Sequence, residues 1–592
     1  MQRKMKKKYS FLTETLKGTK EQIIWILILT MVASKLNVYV PMFIQYALDG
    51  VVLQNESVIP AWMTRFFYSD QAMVKLLILG AILICVNTIA FIVKYVRSKI
   101  STKFNLRINR NVKHTILNHV SRLEYMKFSQ INHSDVIQRV NNDALVYSEF
   151  FNSQLNLFLD TIFIVGFSVV QIFELNKACG IFVFVICGLI ILLSIWYYKA
   201  SLKLVEDTVE ANKQIIEKTR DAVTNSKMQK AFNRKNIEIG KFKELNEDYR
   251  KKELRLGKYR VIYGIGTHTI RNFKEPVILL FGGILVVHGQ MTLATISVLL
   301  TYATKISDYI YDTVDKLKDI NQFFVSYRKL SNLMKVQEEE QGKEYKALEG
   351  NIVFQNVSIK VGENSILQNI NMEIKQGENI AVIGDNGAGK TVLAKTLMGF
   401  YEYDGEIFIG ETNIKEVSPK SIRDYIGLAL QDTYLFHGTI RDNVNITNRE
   451  LLECEIEEAL KVADIYQDVE KMQEKLDTIL ESGGENLSGG QKQRLAIARN
   501  VVSDNQFIIL DDSLSKLDTR TKLNILENII AMNKGMLIIS HDIQVVKACQ
   551  RVLFIHEKRL EMNTHEYFME NSEEYKQMIE MRQNKILEDE EE

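Results

Sequence analysis

The sequence predicts an α-helical membrane domain, with six transmembrane helices and long cytoplasmic extensions, joined to an α/β P-loop domain. Three observations carry this. Six apolar spans reach the roughly 20 residues needed to cross a bilayer. From about residue 348 the pattern changes to short β-rich runs alternating with helices, the mark of an α/β domain with a largely parallel sheet. Within that region Gly384-Asp385-Asn386-Gly387-Ala388-Gly389-Lys390-Thr391 follows a strand and opens a helix, the context a phosphate-binding loop requires. A chain of 592 residues is also too long for one domain.

The N-terminus carries Arg3-Lys4 and Lys6-Lys7-Lys8 ahead of the first apolar span. No small-residue cleavage site follows, so this is not read as a signal peptide, and the basic residues place the N-terminus in the cytoplasm. The spans fall near 22–48, 72–97, 151–174, 179–199, 260–288 and 292–313, in three hairpins. The outer loop at about 50–70 is long; the other two, Glu174-Leu175-Asn176-Lys177 and His288-Gly289-Gln290, are very short. Asn55-Glu56-Ser57 matches a glycosylation sequon by pattern alone. The inner connections, 98–149 and 200–258, are charged, helically periodic and free of Gly or Pro clusters. They read as membrane helices continuing into the cytoplasm, and their lysines and arginines agree with the positive-inside rule. Four prolines in the chain favour long uninterrupted helices.

Residues 1–334 are thus read as the membrane domain, 335–347 as a Glu-, Gln- and Lys-rich linker, 348–582 as the α/β domain and 583–592 as a tail whose end, Glu588 to Glu592, is acidic and solvated. A net charge of +1 gives no field pointing to nucleic acid, which is not expected as a partner. Cys85, Cys179, Cys187, Cys454 and Cys549 lack metal-ligand spacing and are read as unpaired.

Leu487-Ser488-Gly489-Gly490-Gln491 continues into Lys492-Gln493-Arg494-Leu495-Ala496-Ile497-Ala498-Arg499. Its glycines let backbone N–H groups approach an anion, and the helix that follows starts with an N-terminus that attracts phosphate. With the P-loop about 100 residues earlier, this resembles the signature of the ATP-binding cassette family. Six spans followed by one cassette resemble an exporter-type half-transporter, with a P-loop ATPase domain coupled to transport of a small-molecule, lipid or peptide substrate. The resemblance implies ATP and Mg²⁺ as cofactors, the plasma membrane as location, and a second half-transporter chain as partner. Residues 384–391 would cradle the phosphates, with Lys390 on the β/γ oxygens and Thr391 on Mg²⁺. Ser488, Gly489, Gly490 and Gln491 would cap the γ-phosphate of an ATP held mainly by the other cassette. Gln431, before Leu435-Phe436-x-x-Thr439-Ile440, resembles the Q-loop and would touch Mg²⁺ and the attacking water. Asp511 at the end of Phe507–Leu510 resembles the Walker B aspartate that holds Mg²⁺. Asp518, in Ser515-Lys516-Leu517-Asp518, resembles the D-loop residue, and His541 after Ser540 the switch histidine.

Two positions depart from the family pattern. Asp512 stands where the family carries a glutamate as general base, and is shorter by one CH₂, roughly 1.5 Å; about 1 Å of misplacement costs on the order of 100-fold in rate. Val361 occupies the place of the aromatic that stacks on adenine. Neutral change is one reading of Asp512. A degenerate site in a heterodimer, which is favoured over a homodimer, is the other.

The element Ser134-Asp135-Val136-Ile137-Gln138-Arg139-Val140-Asn141-Asn142-Asp143 is similar to the family's first coupling region. Asp221-Ala222-Val223 and Lys230-Ala231-Phe232 match the second more loosely, and in the family that lever packs on the opposite cassette. Asp160, Arg271, Lys274, Glu275, Lys305, Asp308 and Asp312 lie inside spans, where charges are costly. Two readings stay open for them: internal pairing such as Lys274/Glu275 and Lys305/Asp308, or a hydrated path for a polar or zwitterionic cargo. A leader-cleaving peptidase domain is not expected ahead of the first span. Alternatives to export are an importer on the same fold, or an ATP-gated channel or regulator with little hydrolysis. A soluble cassette ATPase is excluded by the spans.

Overall fold

The computed structural model describes residues 11–591, except 56–58, 68–70, 340–341, 346–347, 363, 448 and 504. The basic N-terminus, most of the sequon at Asn55, part of the linker and Glu592 therefore lie outside the described residues. The chain separates into two compact units. One comprises 1–121 and 132–336; the other comprises 122–131 and 337–592.

The first unit is helical. Its long helices are α1 (Lys20–Tyr39), α2 (Ala72–Val120), α3 (Leu155–Leu175), α4 (Lys177–Thr224), α5 (Lys235–Val287), α6 (Leu293–Asp315) and α7 (Leu317–Leu333). Among the described residues, four helical segments are long and apolar enough to cross a membrane: Lys20–Val52, Ala72–Val120, His133–Leu175 and Lys177–Thr224. They contain the first four predicted spans. Helices α5 and α6 cover the other two, but Arg271, Lys274 and Glu275 on one, and Lys305, Asp308 and Asp312 on the other, lower their apolarity. Between α3 and α4 a single residue turns the chain: Asn176 Oδ1 accepts from the N–H groups of Ala178 and Cys179 and caps α4. Pro276 sits inside the 53-residue α5 without ending it.

Several charges predicted to lie within spans pair with groups on other helices. Arg97 on α2 meets Asp160 on α3 at 2.5 Å. Arg271 meets Asp308 at 2.9 Å. Lys305 donates from Nζ to the Asn37 backbone oxygen (2.7 Å) and side-chain oxygen (2.8 Å). Lys305 and Asp308 thus find partners on other helices in place of each other.

Both cytoplasmic extensions break where no glycine or proline marks them. Helix α2 stops at Val120 and a short helix, Tyr125–Ser129, follows. Helix α4 stops at Thr224, a short helix spans Ser226–Ala231, and Asn233, at φ 55°, turns the chain into α5. Asparagine tolerates that left-handed backbone better than most residues. Lys218 and Glu238 form an ion pair across this hairpin.

The second unit is built on two sheets. An antiparallel sheet has the order β2-β1-β4-β5, from β1 (Ile352–Val361), β2 (Asn364–Ile374), β4 (Tyr403–Ile409) and β5 (Thr412–Asn413). The central six-stranded sheet has the order β12-β11-β3-β10-β9-β6. It uses β3 (Asn379–Gly384), β6 (Ile426–Ala429), β9 (Phe507–Asp511), β10 (Gly535–Ile539), β11 (Arg551–His556) and β12 (Arg559–Asn563). All its pairings are parallel except β11 with β12. A two-stranded ribbon joins β7 (Gly438–Thr439) to β8 (Ile479–Leu480). Strands β3, β9 and β10 are buried along their whole length, so they read as apolar runs without alternation. Because β3, β10 and β9 are neighbours, their carboxyl ends converge on one edge, where α/β sheets bind ligands.

The predicted linker is attached to this second unit at several points. Glu339 pairs with Arg423 at 2.6 Å, and Lys343 N donates to Glu416 O at 2.8 Å.

Candidate active site

Strand β3 delivers the chain to Gly384, and helix α8 (Lys390–Leu397) leaves from Gly389. Gly389 has φ 101° and Gly387 φ 81°, the left-handed conformations that turn successive N–H groups inward. A Cβ on Gly389 would lie 2.7 Å from the Ile366 side chain, so any other residue would press the loop into the β1–β2 hairpin. Val361 ends β1 at the tip of that hairpin, opposite Asn364.

Lys390 is buried, and its Nζ donates to the carbonyls of Gly384 (2.9 Å) and Asp385 (2.8 Å). Burial, helped by the nearby charge of Arg582, holds its ammonium below the usual lysine range. Thr391 Oγ1 donates to Asp511 Oδ1 at 3.0 Å, which joins the start of α8 to the end of β9. Burial raises the Asp511 carboxyl above the usual carboxylate range, against the hydrogen bond from Thr391. Gln431 Nε2 donates to Asp512 Oδ2 at 3.0 Å. Asp512 stands at φ 49°, its N–H bonded to Ile539 O, and burial raises its carboxyl as well. His541 follows β10; partial burial, then Arg582 and Lys390, push its imidazole down to about 4, so it is neutral at physiological pH.

The fold therefore brings together Lys390, Thr391, Gln431, Asp511, Asp512 and His541. Their chemistry fits a Mg²⁺-bound polyphosphate. Mg²⁺ takes one or two protein oxygen ligands and completes its shell from water and phosphate. Thr391 and Asp511 already share one hydrogen bond at that place. The buried Asp511 and half-buried Asp512 carboxylates lie where a cation would relieve their desolvation.

The Ser488 region is a capping box. Ser488 Oγ accepts from Gln491 N at 3.2 Å, and Gln491 Oε1 accepts from Ser488 N at 3.0 Å, at the start of helix α9 (Gly489–Val501). Gln493 on this helix donates to Ser515 Oγ (3.3 Å) and accepts from Lys516 N (3.0 Å). Ser515 in turn donates to the Asp512 carbonyl at 2.9 Å. Asp518 caps helix α10 (Thr519–Ala531) by accepting from Thr521 N, a bond that holds its carboxyl below the usual range.

Two groups escaped the sequence reading. Arg582, on the C-terminal helix α11 (Glu573–Glu591), donates to Gly384 O at 3.3 Å. The only sequence signal was its place on one face with Tyr575 and Ile579. The second is the segment of the first extension that touches the cassette. It is Arg122–Ile131, which groups with residues 337–592. Glu339 N donates to Arg122 O (2.8 Å) and Glu124 N to Gln337 O (3.2 Å). The Tyr125 ring stacks on Phe400 at 4.4 Å, with Arg423 4.9 Å from the Phe400 ring centroid. Arg139 and Asp143 instead tie their own segment to α7, through Lys329 O (3.4 Å) and Ser326 Oγ (2.8 Å).

Two family models match, one described as ABC transporter over residues 367–515 and one as ABC transporter transmembrane region over 23–308. Among curated proteins, the chain is 26% identical over 576 residues to the ATP-dependent lipid A-core flippase of Desulfotalea psychrophila, covering 95% of this chain and 100% of that protein. It is 26% identical over 504 residues to the transport/processing ATP-binding protein ComA of Streptococcus pneumoniae, covering 83% and 70%. A solved bacterial Atm1-family ABC exporter with ATP bound shares the fold, with a TM-score of 0.78 at 19% identity, over 95% of this chain and 98% of that one.

Proposed function

The chain belongs to the ABC transporters, and on that premise we propose that it is one half of a dimeric exporter that uses ATP to move a substrate outward across the plasma membrane. It is a multi-pass membrane protein of the ABC exporter type with a cytoplasmic ATPase domain. The observation that carries the nucleotide assignment is the pair of contacts Thr391–Asp511 and Gln431–Asp512. They link the P-loop, the end of β9 and the Gln431 loop at one edge of the sheet. In the proposed cycle Lys390 would neutralise the phosphates, Thr391 and Asp511 would hold Mg²⁺, Gln431 and Asp512 would orient the attacking water, and His541 would act on the γ-phosphate.

A second chain is part of the proposal. The tip of the second extension exposes Val223 (71%), Met228 (63%) and Phe232 (68%), apolar side chains that the cassette of a partner would cover. The helix started by Ser488 would then close over the partner's nucleotide. The short Asp512 favours a heterodimer in which the partner supplies the faster site. The similarity to a lipid flippase and to a transport/processing protein supports an amphiphilic lipid or peptide cargo. Six spans remain part of the proposal, α5 and α6 serving as the fifth and sixth.

Transport into inverted membrane vesicles tests the assignment. Lys390→Ala in the assembled transporter is expected to abolish ATP-driven uptake while leaving the protein folded and inserted. Undiminished uptake by that variant would remove the nucleotide site from the mechanism.

A further inference from the structure

Helix α11 docks on the central sheet by one face. Tyr575 (0% exposed) and Ile579 (1%) pack with Ala381 and Ile383 of β3 and Phe554 of β11. Tyr575 is further fixed by a 2.8 Å hydrogen bond between its hydroxyl and His565 Nδ1. Residues three and four apart share a helix face, so the next position on this face is 582. Strand register carries the line to the P-loop: Phe554 pairs with Ile383 and Ile555 with Gly384. Arg582 thus reaches Gly384 O, the same carbonyl that accepts from Lys390 Nζ.

We propose that Arg582 is a positioning residue of the phosphate cradle, holding the first turn of the P-loop through Gly384 and adding a second fixed cation beside Lys390 for the polyphosphate of ATP. The role rests on the P-loop's taking ATP. Arginine suits it because the guanidinium stays charged when half-buried and carries five donors, so one bond to a carbonyl leaves others for an anion. Its bonded partner is neutral, and the opposing charge of Asp385 acts on it as well. After burial, the charge of Arg582 is the next cause that holds Lys390 and His541 low, in keeping with its place among them. A cation contributed by the C-terminal helix also makes ATP affinity depend on how that helix is docked.

The test is equilibrium binding to the full-length chain in detergent, by displacement of a fluorescent ATP analogue with MgATP or with AMP. Arg582→Ala and Arg582→Gln are expected to weaken MgATP about 10-fold, the loss of one charge-assisted contact, and to leave AMP within about 2-fold. Arg582→Lys restores MgATP to within about 3-fold, and all three keep the thermal unfolding midpoint of the parent. Unchanged MgATP affinity in Arg582→Ala overturns the proposal. So does equal weakening of MgATP and AMP without rescue by lysine, which would make Arg582 a packing residue of α11. Lys390→Ala in the same assay separates the two levels: if it too leaves MgATP binding intact, the nucleotide site itself is misassigned.

Discussion

Asp512 combines a left-handed backbone with a carboxylate given to Gln431. Aspartate tolerates φ > 0 better than most residues, whereas the conformation costs an ordinary side chain about 1–2 kcal/mol. A glutamate here would gain reach and pay in backbone strain. If reach limits the site, Asp512→Glu raises ATP turnover at this site by at least about 10-fold, measured by phosphate release from the assembled transporter with the partner's site inactivated. A rate that stays level or falls would place the limit elsewhere and remove the case for a slow site. The motif residues around Asp512 were legible because each lies at a strand end or helix start whose pattern the sequence displays. Its backbone conformation was not, since φ there depends on the Asp512 N–H bond to Ile539 on the neighbouring strand.

Helix α8 has Lys390 and Thr391, proposed above to bind phosphate, at its start, and the turn after it carries Phe400, on which Tyr125 stacks. Lys395, inside the same helix, donates from Nζ to the Tyr125 hydroxyl at 3.3 Å. One short element thus carries both the proposed nucleotide contacts and the residues on which Tyr125 is seated. Tyr125→Ala removes an aromatic pair of about 0.5–1.5 kcal/mol, roughly 2- to 12-fold in an equilibrium. It is expected to leave ATPase activity within about 3-fold while lowering transport per ATP by a larger factor. Parallel loss of both activities would show that the stack supports folding of the cassette and does not couple it. The extensions themselves were legible as long charged helices. Their interruptions were not: Ser121–Glu124 and Asn225 carry no breaker, and the chain turns at the first because Leu123 and its neighbours pair with Gln337–Glu339. Among the described residues the π-helical stretches Tyr46–Val52, Arg139–Asp143 and Phe150–Gln154 likewise have no sequence period of their own.

Across the whole molecule the intact capping box at Ser488 and the aspartate at 512 point in different directions. In the head-to-tail heterodimer proposed above the first would serve the partner's ATP and the second only this chain's. Ser488→Arg is expected to depress steady-state ATPase activity of the complex by about 10-fold or more, and Asp512→Asn by less than about 3-fold. Equal losses would indicate two equivalent sites. At this scale the two-part plan could be read from span length and the switch to β-rich runs. The charge pairing could not. Arg97–Asp160 joins residues on different helices, which no spacing rule along one helix reveals.

The segment Arg122–Ile131 has one further consequence, for inheritance. By its contacts it belongs with residues 337–592, although the gene places it inside the membrane half. A cassette produced alone from Gln337 onward would start with Gln337–Glu339 stripped of their pairing partner and with the face of Phe400 opened to water. Such a fragment would behave as a protein with a missing patch. Recombination that swaps cassettes between relatives at the linker would separate two surfaces that fit each other. Exchange at that point succeeds only where the donor's tip accompanies its cassette or the recipient's tip already matches it, which ties the divergence of two distant stretches of one gene together.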